Sequence, residues 1–399
     1  MEGRSWGLER RRAANGCDSK GKSVSCSLRF SCNRDLTMQE RLMTIDIQQA
    51  IEAGNRLRNH PYTLLHLSDR EKFHTGFLAF CLKRYKPTFF YSMFGRRDPL
   101  PDLLVDVEYQ SMDIVVRESK DPKIYLAAAE VKLKTDLHDD QVRKYRKKIG
   151  KHAVARVIGL FPPTEANEQE LKQRGFPYEG LTEKIPGWVE EQIRGESDPE
   201  IKCIFTLWVG YLRDLGVLRS YFVEKGTESI GQDIVDALDD IKLKGIFERY
   251  RHGLITSQLQ DLRFREELGK DGEGKGPLDI GNSHGNGILD LYTIPRPKKK
   301  GEGVQMGLQW QAGQLKLFVH HKKDSESRNK LLKGIAEKIK SSGKLDFEVK
   351  PNKEGRFRSV TLIDKGWDIL KDDISDKHQT LREVYEMLDE FIDEARRLR

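Results

Sequence analysis

The chain has few cysteines, a feature that bears directly on the class of protein to which it can belong. It carries only five cysteines in 399 residues, too few for the disulfide framework of a protein this long. Cys17, Cys26 and Cys32 are not spaced like the paired ligands of a zinc site. Cys81 and Cys203 lie among apolar residues and are predicted to be reduced core positions. We therefore expect a cytoplasmic protein.

Long apolar runs and a large net charge are missing as well. No run approaches the roughly 18 to 20 apolar residues of a membrane span, and the first residues lack the apolar region of a secretory signal. The net charge is only +7, because 70 basic residues meet 63 acidic ones. We therefore expect no membrane partner, and any nucleic-acid surface must come from the local distribution of charge.

The sequence between residues 105 and 145 contains the most informative pattern. Two apolar runs, Met112–Val116 and Ile124–Leu133, are separated by a charged segment that contains Asp121 and Pro122. Apolar runs divided by such residues predict a strand, a turn and a second strand.

Both predicted strands carry charge where an apolar residue is expected. Asp113 heads the first strand, and a period of two puts Glu130 and Lys132 on one face of the second. Charges beside a sheet core are costly unless they pair, bind a metal or take part in chemistry. Asp113, Glu130 and the Val131 carbonyl offer three oxygen ligands to a hard divalent cation. Lys132 would position the attacking water, so the pattern predicts hydrolysis of a phosphodiester.

The pattern resembles the PD-(D/E)XK nuclease superfamily. The shared pattern is an acid, a turn, Glu-x-Lys on a strand and then a helix with an inward Gln. In this chain the acid is Asp113, the Glu-x-Lys motif is Glu130-Val131-Lys132 and the glutamine is Gln141. Upstream, Glu71, His74 and Glu108 resemble an uncharacterised bacterial branch associated with defence against phage. The resemblance covers roughly residues 69 to 161, and Met112 stands where the family has its proline.

This resemblance implies a restriction-like or anti-phage DNA endonuclease that uses Mg²⁺, with Mn²⁺ as a substitute. It implies metal ligation by Asp113, Glu130, Val131 and Glu108, and catalytic roles for Asp113, Glu130, Lys132, Gln141 and Glu71. DNA is preferred over RNA, although the same chemistry permits either. Because an unchecked nuclease would be toxic, we also expect a regulatory partner or a homodimer.

Glu71 and His74 have alternative interpretations. They lie on the predicted helix 68–85, for which Ser68 or Asp69 is the predicted cap. Glu71 would be an accessory group of the metal site or a first-turn carboxylate favoured by the helix dipole. His74 is predicted to be a packed, hydrogen-bonded histidine rather than a ligand.

The helix after Lys134 is strongly basic. It is predicted to begin at Thr135 or Asp136 and to end near Gly150, with Gln141 and Tyr145 on one face. Its predicted phosphate-binding residues are Arg143, Lys144, Arg146, Lys147, Lys148 and Lys151. A solvated face without function remains the alternative interpretation.

The fold class predicted for the whole chain is α/β. We expect a restriction-endonuclease-like core, with a mixed central sheet flanked by helices, followed by a helical extension and a smaller C-terminal α+β region. The predicted ranges are a disordered basic tail at 1–37, the nuclease core at 38–165, the extension at 166–287 and the C-terminal region at 288–399. The tail either touches nucleic acid or precedes the true start, and the C-terminal region would bind substrate or a partner.

Several elements outside the core are also predicted. Residues 270–286 form a Gly-rich connector. Further strands are expected at Leu289–Ile294, Val304–Trp310, Gln314–His320, Leu345–Val349 and Arg358–Ile363. Helices are expected at Glu165–Arg174, Pro186–Gly195, Pro199–Leu215, within Ser229–Leu268, and at Ser325–Ser341 and Lys377–Arg397.

A second function class remains open. An inactive protein of nuclease fold would use the charged residues for structure alone and act as a nucleic-acid-binding or scaffold subunit. Acids and bases alternate on solvated edge strands for no catalytic reason. The three alanines before Glu130 argue against an edge strand, and a basic helix follows directly. These features favour the active nuclease.

Overall fold

The computed structural model describes most of the chain from Ile45 onward. The described residues are 45–96, 102–133, 139–163, 165–259, 262, 278–283, 286–294, 304–320, 326–343, 350–351, 358–363 and 367–397. The chain divides into two units, Met1–Met43 and Thr44–Arg399, and every described residue belongs to the second. The predicted tail and the first residues of the predicted core range, 38–44, lie outside the described residues.

Five strands form a mixed sheet in which the order in space follows the order in the chain. They are β1 (Leu103–Tyr109), β2 (Met112–Glu118), β3 (Tyr125–Lys132), β4 (Val154–Gly159) and β5 (Tyr178–Gly180). The first three strands are antiparallel, whereas β4 and β5 run parallel to β3. The predicted strand, turn and strand are thus confirmed as β2 and β3.

Helices flank this sheet and continue beyond it. They are α1 (Ile47–Arg58), α2 (Pro61–Leu64), α3 (Glu71–Arg84), α4 (Thr88–Phe94), α5 (Asp139–Ile149), α6 (Glu165–Gln173), α7 (Ile185–Ile193), α8 (Pro199–Lys225), α9 (Gln232–Asp240), α10 (Lys244–Ser257), α11 (Glu326–Ser341), α12 (Lys377–Leu388) and α13 (Ile392–Arg397). The predicted start of α5 at Thr135 or Asp136 lies outside the described residues.

The alternation of β2 and β3 divides their side chains between two faces. On the first face, Ile114, Val116, Ala127, Ala129 and Val131 join the large hydrophobic core, and α3 packs there. On the second face, Val115 and Ala128 pack with Val142 and Tyr145 of α5. A period of two therefore places the strand charges on the α5 face.

The helical region, from α6 to α10, contacts the first sheet through α6 and the second sheet through α10. α8 is 27 residues long and extends past its predicted end at Leu215. Its N-cap is Asp198, whose carboxylate accepts the first free N–H groups, with Pro199 at the first helical position. α1 packs on α8 and α9, and α10 packs on the second sheet. One connected hydrophobic core therefore runs through the predicted boundaries at 165 and 287.

The second sheet is antiparallel and has six described strands. They are β6 (Leu278–Ser283), β7 (Asn286–Ile294), β8 (Gln305–Gln311), β9 (Gln314–His320), β10 (Lys350–Pro351) and β11 (Arg358–Ile363), in the order β10-β11-β9-β8-β7-β6. The predicted hairpin is confirmed, because Ala312 and Gly313 connect β8 to β9 with φ of 50° and 73°. The predicted strand at Leu345–Val349 lies outside the described residues.

The predicted connector at 270–286 is wrong over part of its length. Residues 278–283 form β6, which pairs with β7 through Ile280 and Leu289. Leu278 and Ile280 pack against the hydrophobic core. Two apolar residues in alternation were enough to form this strand, although glycines surround them.

Two other predicted details are wrong. Cys203 is exposed rather than buried, because it lies on the solvent side of α8. α3 begins at Glu71 with Arg70 as its N-cap, not Ser68 or Asp69. Ser68 is instead buried, and its carbonyl accepts hydrogen bonds from the side chains of His74 and Tyr211. Across the described ranges, no helix has both the length and the apolarity needed to cross a bilayer.

Candidate active site

Asp113 and Glu130 lie side by side on β2 and β3. The antiparallel register pairs Ile114 with Ala129, so one further step along both strands brings Asp113 opposite Glu130. The Asp113 N–H donates to Glu130 Oε2 over 3.3 Å, and Asp113 Oδ2 accepts from the Val131 N–H at 2.8 Å. The backbone of each strand thus fixes the carboxylate of the other.

Three side chains surround the other oxygen of Glu130. Lys132 Nζ lies 2.8 Å from Glu130 Oε1, and Gln141 Nε2 donates to the same atom over 2.8 Å. The Tyr145 hydroxyl lies 3.3 Å away. Glu130 is only 3% exposed, so these groups replace its water. The predicted common face of Glu130 and Lys132 is confirmed, and Gln141 contacts the carboxylate that Lys132 also contacts.

Tyr145 connects this cluster to the tip of the β1–β2 hairpin. Its hydroxyl accepts a hydrogen bond from Gln141 and donates one to the Ser111 carbonyl. Lys148 Nζ donates to the neighbouring Gln110 carbonyl at 2.7 Å. Gln110 and Ser111 have φ of 52° and 69°, which side-chain-bearing residues rarely adopt. The four-residue spacing of Gln141 and Tyr145 predicted a shared face, whereas sequence gave no signal for the contact with Ser111.

Burial raises the pKa of the Asp113 carboxyl above its ordinary value. The hydrogen bond from the Val131 N–H and the charge of Lys132 oppose this shift, and the negative charges of Glu71 and Glu108 add to it. A nearby cation would relieve both the lost hydration and the repulsion.

Glu130 and Lys132 share the same environment. Burial raises the pKa of Glu130, and the adjacent Asp113 carboxylate raises it further, against the opposing effect of Lys132. Burial lowers the pKa of Lys132, but the charge and hydrogen bond of Glu130, with the charges of Glu71 and Asp113, more than offset this. Lys132 is therefore held as an ammonium between carboxylates.

Glu71 reaches the same end of the sheet from α3. Its Oε1 atom accepts a hydrogen bond from the Leu133 N–H at 2.8 Å, directly after Lys132. Glu71 is also the first residue of its helix, where the helix dipole favours a carboxylate. The structure thus confirms the first-turn position of Glu71 and brings its carboxylate to the predicted cluster, whereas its accessory role at a metal site stays a prediction.

Glu108 lies at the rim of this cluster. The β1–β2 register places it across from Asp113, yet its φ of 54° is left-handed. Its Oε1 atom lies 2.6 Å from Lys72 Nζ on α3, and its side chain is 52% exposed. The carboxylate predicted as a metal ligand is therefore paired with a lysine that sequence analysis did not select.

His74 is a structural residue, as predicted. It is fully buried. Trp208 Nε1 donates to His74 Nδ1 at 3.2 Å, so His74 Nε2 carries the proton that is donated to the Ser68 carbonyl at 3.0 Å. Burial lowers the pKa of His74 to about 4. The neutral ring joins α3 to α8.

The basic residues of α5 separate into two groups. Arg143, Lys144, Lys147, Lys148 and Lys151 are exposed and remain predicted phosphate-binding residues. Arg146 is different, because its guanidinium donates to the carbonyls of Gly150, Ala153, Arg174 and Gly175 and lies over the Phe176 ring. These contacts commit Arg146 to holding α5 against the loop before β5.

The oxygen donors at Asp113, Glu130 and the Val131 carbonyl are of the type that Mg²⁺ and Mn²⁺ prefer. Among the described residues, no group of three or more His, Cys, Asp or Glu side chains is arranged to hold a metal ion. A bound cation would therefore depend on the two carboxylates, the main chain and water. In comparisons with family models, curated proteins and solved structures, no match to the chain was found.

Proposed function

We propose that this protein is a metal-dependent nuclease that hydrolyses phosphodiester bonds, with DNA as the preferred substrate and an endonucleolytic mode of cutting. The observation that carries the proposal is the buried pair Asp113 and Glu130 with Lys132 at 2.8 Å from Glu130. Burial raises the pKa of both carboxyls; the Asp113 carboxylate raises that of Glu130 further, and Glu71 and Glu108 raise that of Asp113. Two acids kept close together at such a cost are typical of a functional site.

Asp113, Glu130 and the Val131 carbonyl would hold Mg²⁺, with Mn²⁺ as a substitute. When bound, such an ion supplies neutralisation of phosphate charge and a lower pKa for water. Lys132 orients the attacking water through its ammonium group, and Gln141 keeps Glu130 in place through its amide. The 2.8 Å contacts of both groups to Glu130 Oε1 support these roles.

The exposed lysines of α5 support nucleic acid as the substrate. α5 begins beside the acidic pair, since Gln141 contacts Glu130, and its exposed basic residues continue to Lys151. A row of this kind neutralises successive phosphates without reading bases. A restriction-like or anti-phage role, held in check by a regulatory partner or by homodimer formation, is part of the proposal by resemblance to the PD-(D/E)XK nucleases.

The test is a cleavage assay with supercoiled DNA, linear duplex DNA, single-stranded DNA and RNA in Mg²⁺, Mn²⁺ or EDTA. Wild type is compared with Glu130→Ala and with Glu52→Ala, which removes an exposed carboxylate on α1. We expect metal-dependent cutting by wild type and Glu52→Ala, and none by Glu130→Ala. Loss of supercoiled DNA without shortening from the ends identifies an endonuclease. Equal cutting by all three proteins refutes the site.

One observation favours a second candidate, an inactive nuclease-fold protein that binds nucleic acid or acts as a scaffold. The Lys132 ammonium lies on Glu130, so this carboxylate already has a cationic partner in the free protein. Thermal unfolding with and without divalent cation distinguishes the two candidates. An active site predicts that the cation raises the Tm of wild type but not of Asp113→Asn, which retains an oxygen for the Val131 N–H. An equal response in both proteins supports the scaffold.

A further inference from the structure

An exposed ion pair stands beside the candidate active site. Lys72 Nζ lies 2.6 Å from Glu108 Oε1, and the two side chains are 82% and 52% exposed. Pairs this exposed contribute little to folding, because water screens them and two long side chains must be ordered. The pair therefore adds little to the stability of the fold.

Lys72 and Glu108 lie on elements that also carry residues of the candidate active site. Lys72 follows Glu71, whose carboxylate accepts from the Leu133 N–H. Glu108 lies across the β1–β2 ladder from Asp113. The end of β1, the start of β2 and the end of β3 meet at one end of the antiparallel part of the mixed sheet. The ion pair thus connects α3 to β1 at the sheet end where Asp113 and Lys132 lie.

The backbone of Glu108 is strained at this point. Its φ is 54°, and a residue with a side chain rarely adopts this region without compensation. The β2 residues on either side of Asp113 still pair regularly with β1. Gln110 and Ser111 in the following turn also have left-handed φ, but within β1 and β2 only Glu108, the residue that contacts Lys72, does.

The balance of charge shows what Lys72 is suited to bind. Four carboxylates meet two ammonium groups here, namely Glu71, Glu108, Asp113 and Glu130 with Lys72 and Lys132. A divalent cation would balance this excess, and a phosphodiester would then add a negative charge without a partner. Lys132 is largely buried beside Glu130, whereas Lys72 has an exposed partner that a phosphate can replace.

We propose that Lys72 binds a phosphate of the nucleic-acid substrate beside the scissile bond, and that Glu108 occupies its ammonium group in the free protein. This inference rests on the proposed nuclease function. Glu108 acts here as an internal substitute for the phosphate, in place of its predicted role as a metal ligand.

The experiment measures binding of a fluorescent DNA duplex by anisotropy over a series of salt concentrations, with Ca²⁺ in place of Mg²⁺. The variants are Lys72→Ala, Glu108→Gln and Lys83→Ala, a control that removes an exposed lysine about 16 Å farther along α3. We expect Lys72→Ala to weaken binding and to reduce the salt slope by about 1. Glu108→Gln should tighten binding by about two- to fivefold, because Lys72 is then free.

Two results would overturn the inference. In the first, Lys72→Ala binds DNA like Lys83→Ala. In the second, Glu108→Gln weakens DNA binding and also weakens Mg²⁺ binding measured calorimetrically without DNA, as expected if Glu108 is a metal ligand. Cleavage by wild type and Glu130→Ala is followed in parallel. If wild type cuts DNA in a metal-dependent way but Lys72→Ala binds DNA as wild type does, the role of Lys72 is refuted and the nuclease proposal stands.

Discussion

Lowering the pH from 7 to 5 should destabilise the protein through His74, and His74→Gln should remove that part of the effect. The ring lies between Trp208 and the Ser68 carbonyl and has no exposed surface. Protonation would place a second donor against Trp208 Nε1 and a charge inside the core. Glutamine retains an N–H for Ser68 and does not titrate.

The magnitude follows from the two pKa values of His74. Burial lowers the folded-state pKa to about 4, against about 6.5 in the unfolded chain. The unfolded state binds more protons than the folded state between these two pKa values. The contribution of His74 to the free energy of unfolding is therefore fully present above about pH 6.5 and is lost as the pH falls towards 4. The full difference is about 3.4 kcal/mol, of which about 2 kcal/mol is lost between pH 7 and pH 5.

The assay is urea unfolding of wild type and His74→Gln at both pH values. Among the described residues, His252 is also a fully buried histidine, and burial lowers its pKa to about 3. Its contribution cancels because both proteins contain it. Wild type should lose about 2 kcal/mol more than the variant on acidification. An identical pH dependence would show that His74 is not held neutral between α3 and α8, and would reopen its assignment as a ligand.

Three further predictions test other charged positions. Burial raises the pKa of Glu248 to about 7, so the folded protein loses stability as the pH rises from about 4.5 through 7. At pH 8, Glu248→Gln should therefore be more stable than wild type by up to about 3 kcal/mol, as measured by urea unfolding. Arg146→Ala leaves several carbonyls without a donor and should lose about 3 kcal/mol by the same method, whereas Lys147→Ala should change stability by less than about 0.5 kcal/mol. Lys132→Ala should still bind Mg²⁺ by calorimetry yet fail to cut DNA; retained turnover would remove Lys132 from the mechanism.

The strands of the candidate site could be predicted because their apolar runs are distinct. The runs are interrupted only at Asp113, Glu130 and Lys132, and a period of two gives the face that carries these charges. Burial of the three alanines before Glu130 confirms that β3 is an interior strand. Local pattern was sufficient here, because both faces of these strands pack on helices, α3 on one and α5 on the other.

Other features depend on contacts that sequence spacing does not encode. Arg146 belongs to a run of basic residues and differs from them only because a loop 28 residues away supplies a carbonyl. Lys72 contacts Glu108 across two elements, and Glu108 has a left-handed backbone, which no residue preference indicates. Cys203 has apolar neighbours, but the side of α8 that faces solvent is set by the packing of α1 and α7.

The hydrogen bonds around Glu130 also couple the local unfolding of the elements that surround it. The carboxylate receives donors from the β2 backbone, from Lys132 on β3 and from Gln141 on α5, and Tyr145 of α5 holds the hairpin tip at Ser111. Separation of any one of these elements would leave a buried charge with fewer partners. The amide hydrogens of β2, β3 and α5 should therefore exchange with solvent together, in one cooperative opening rather than strand by strand.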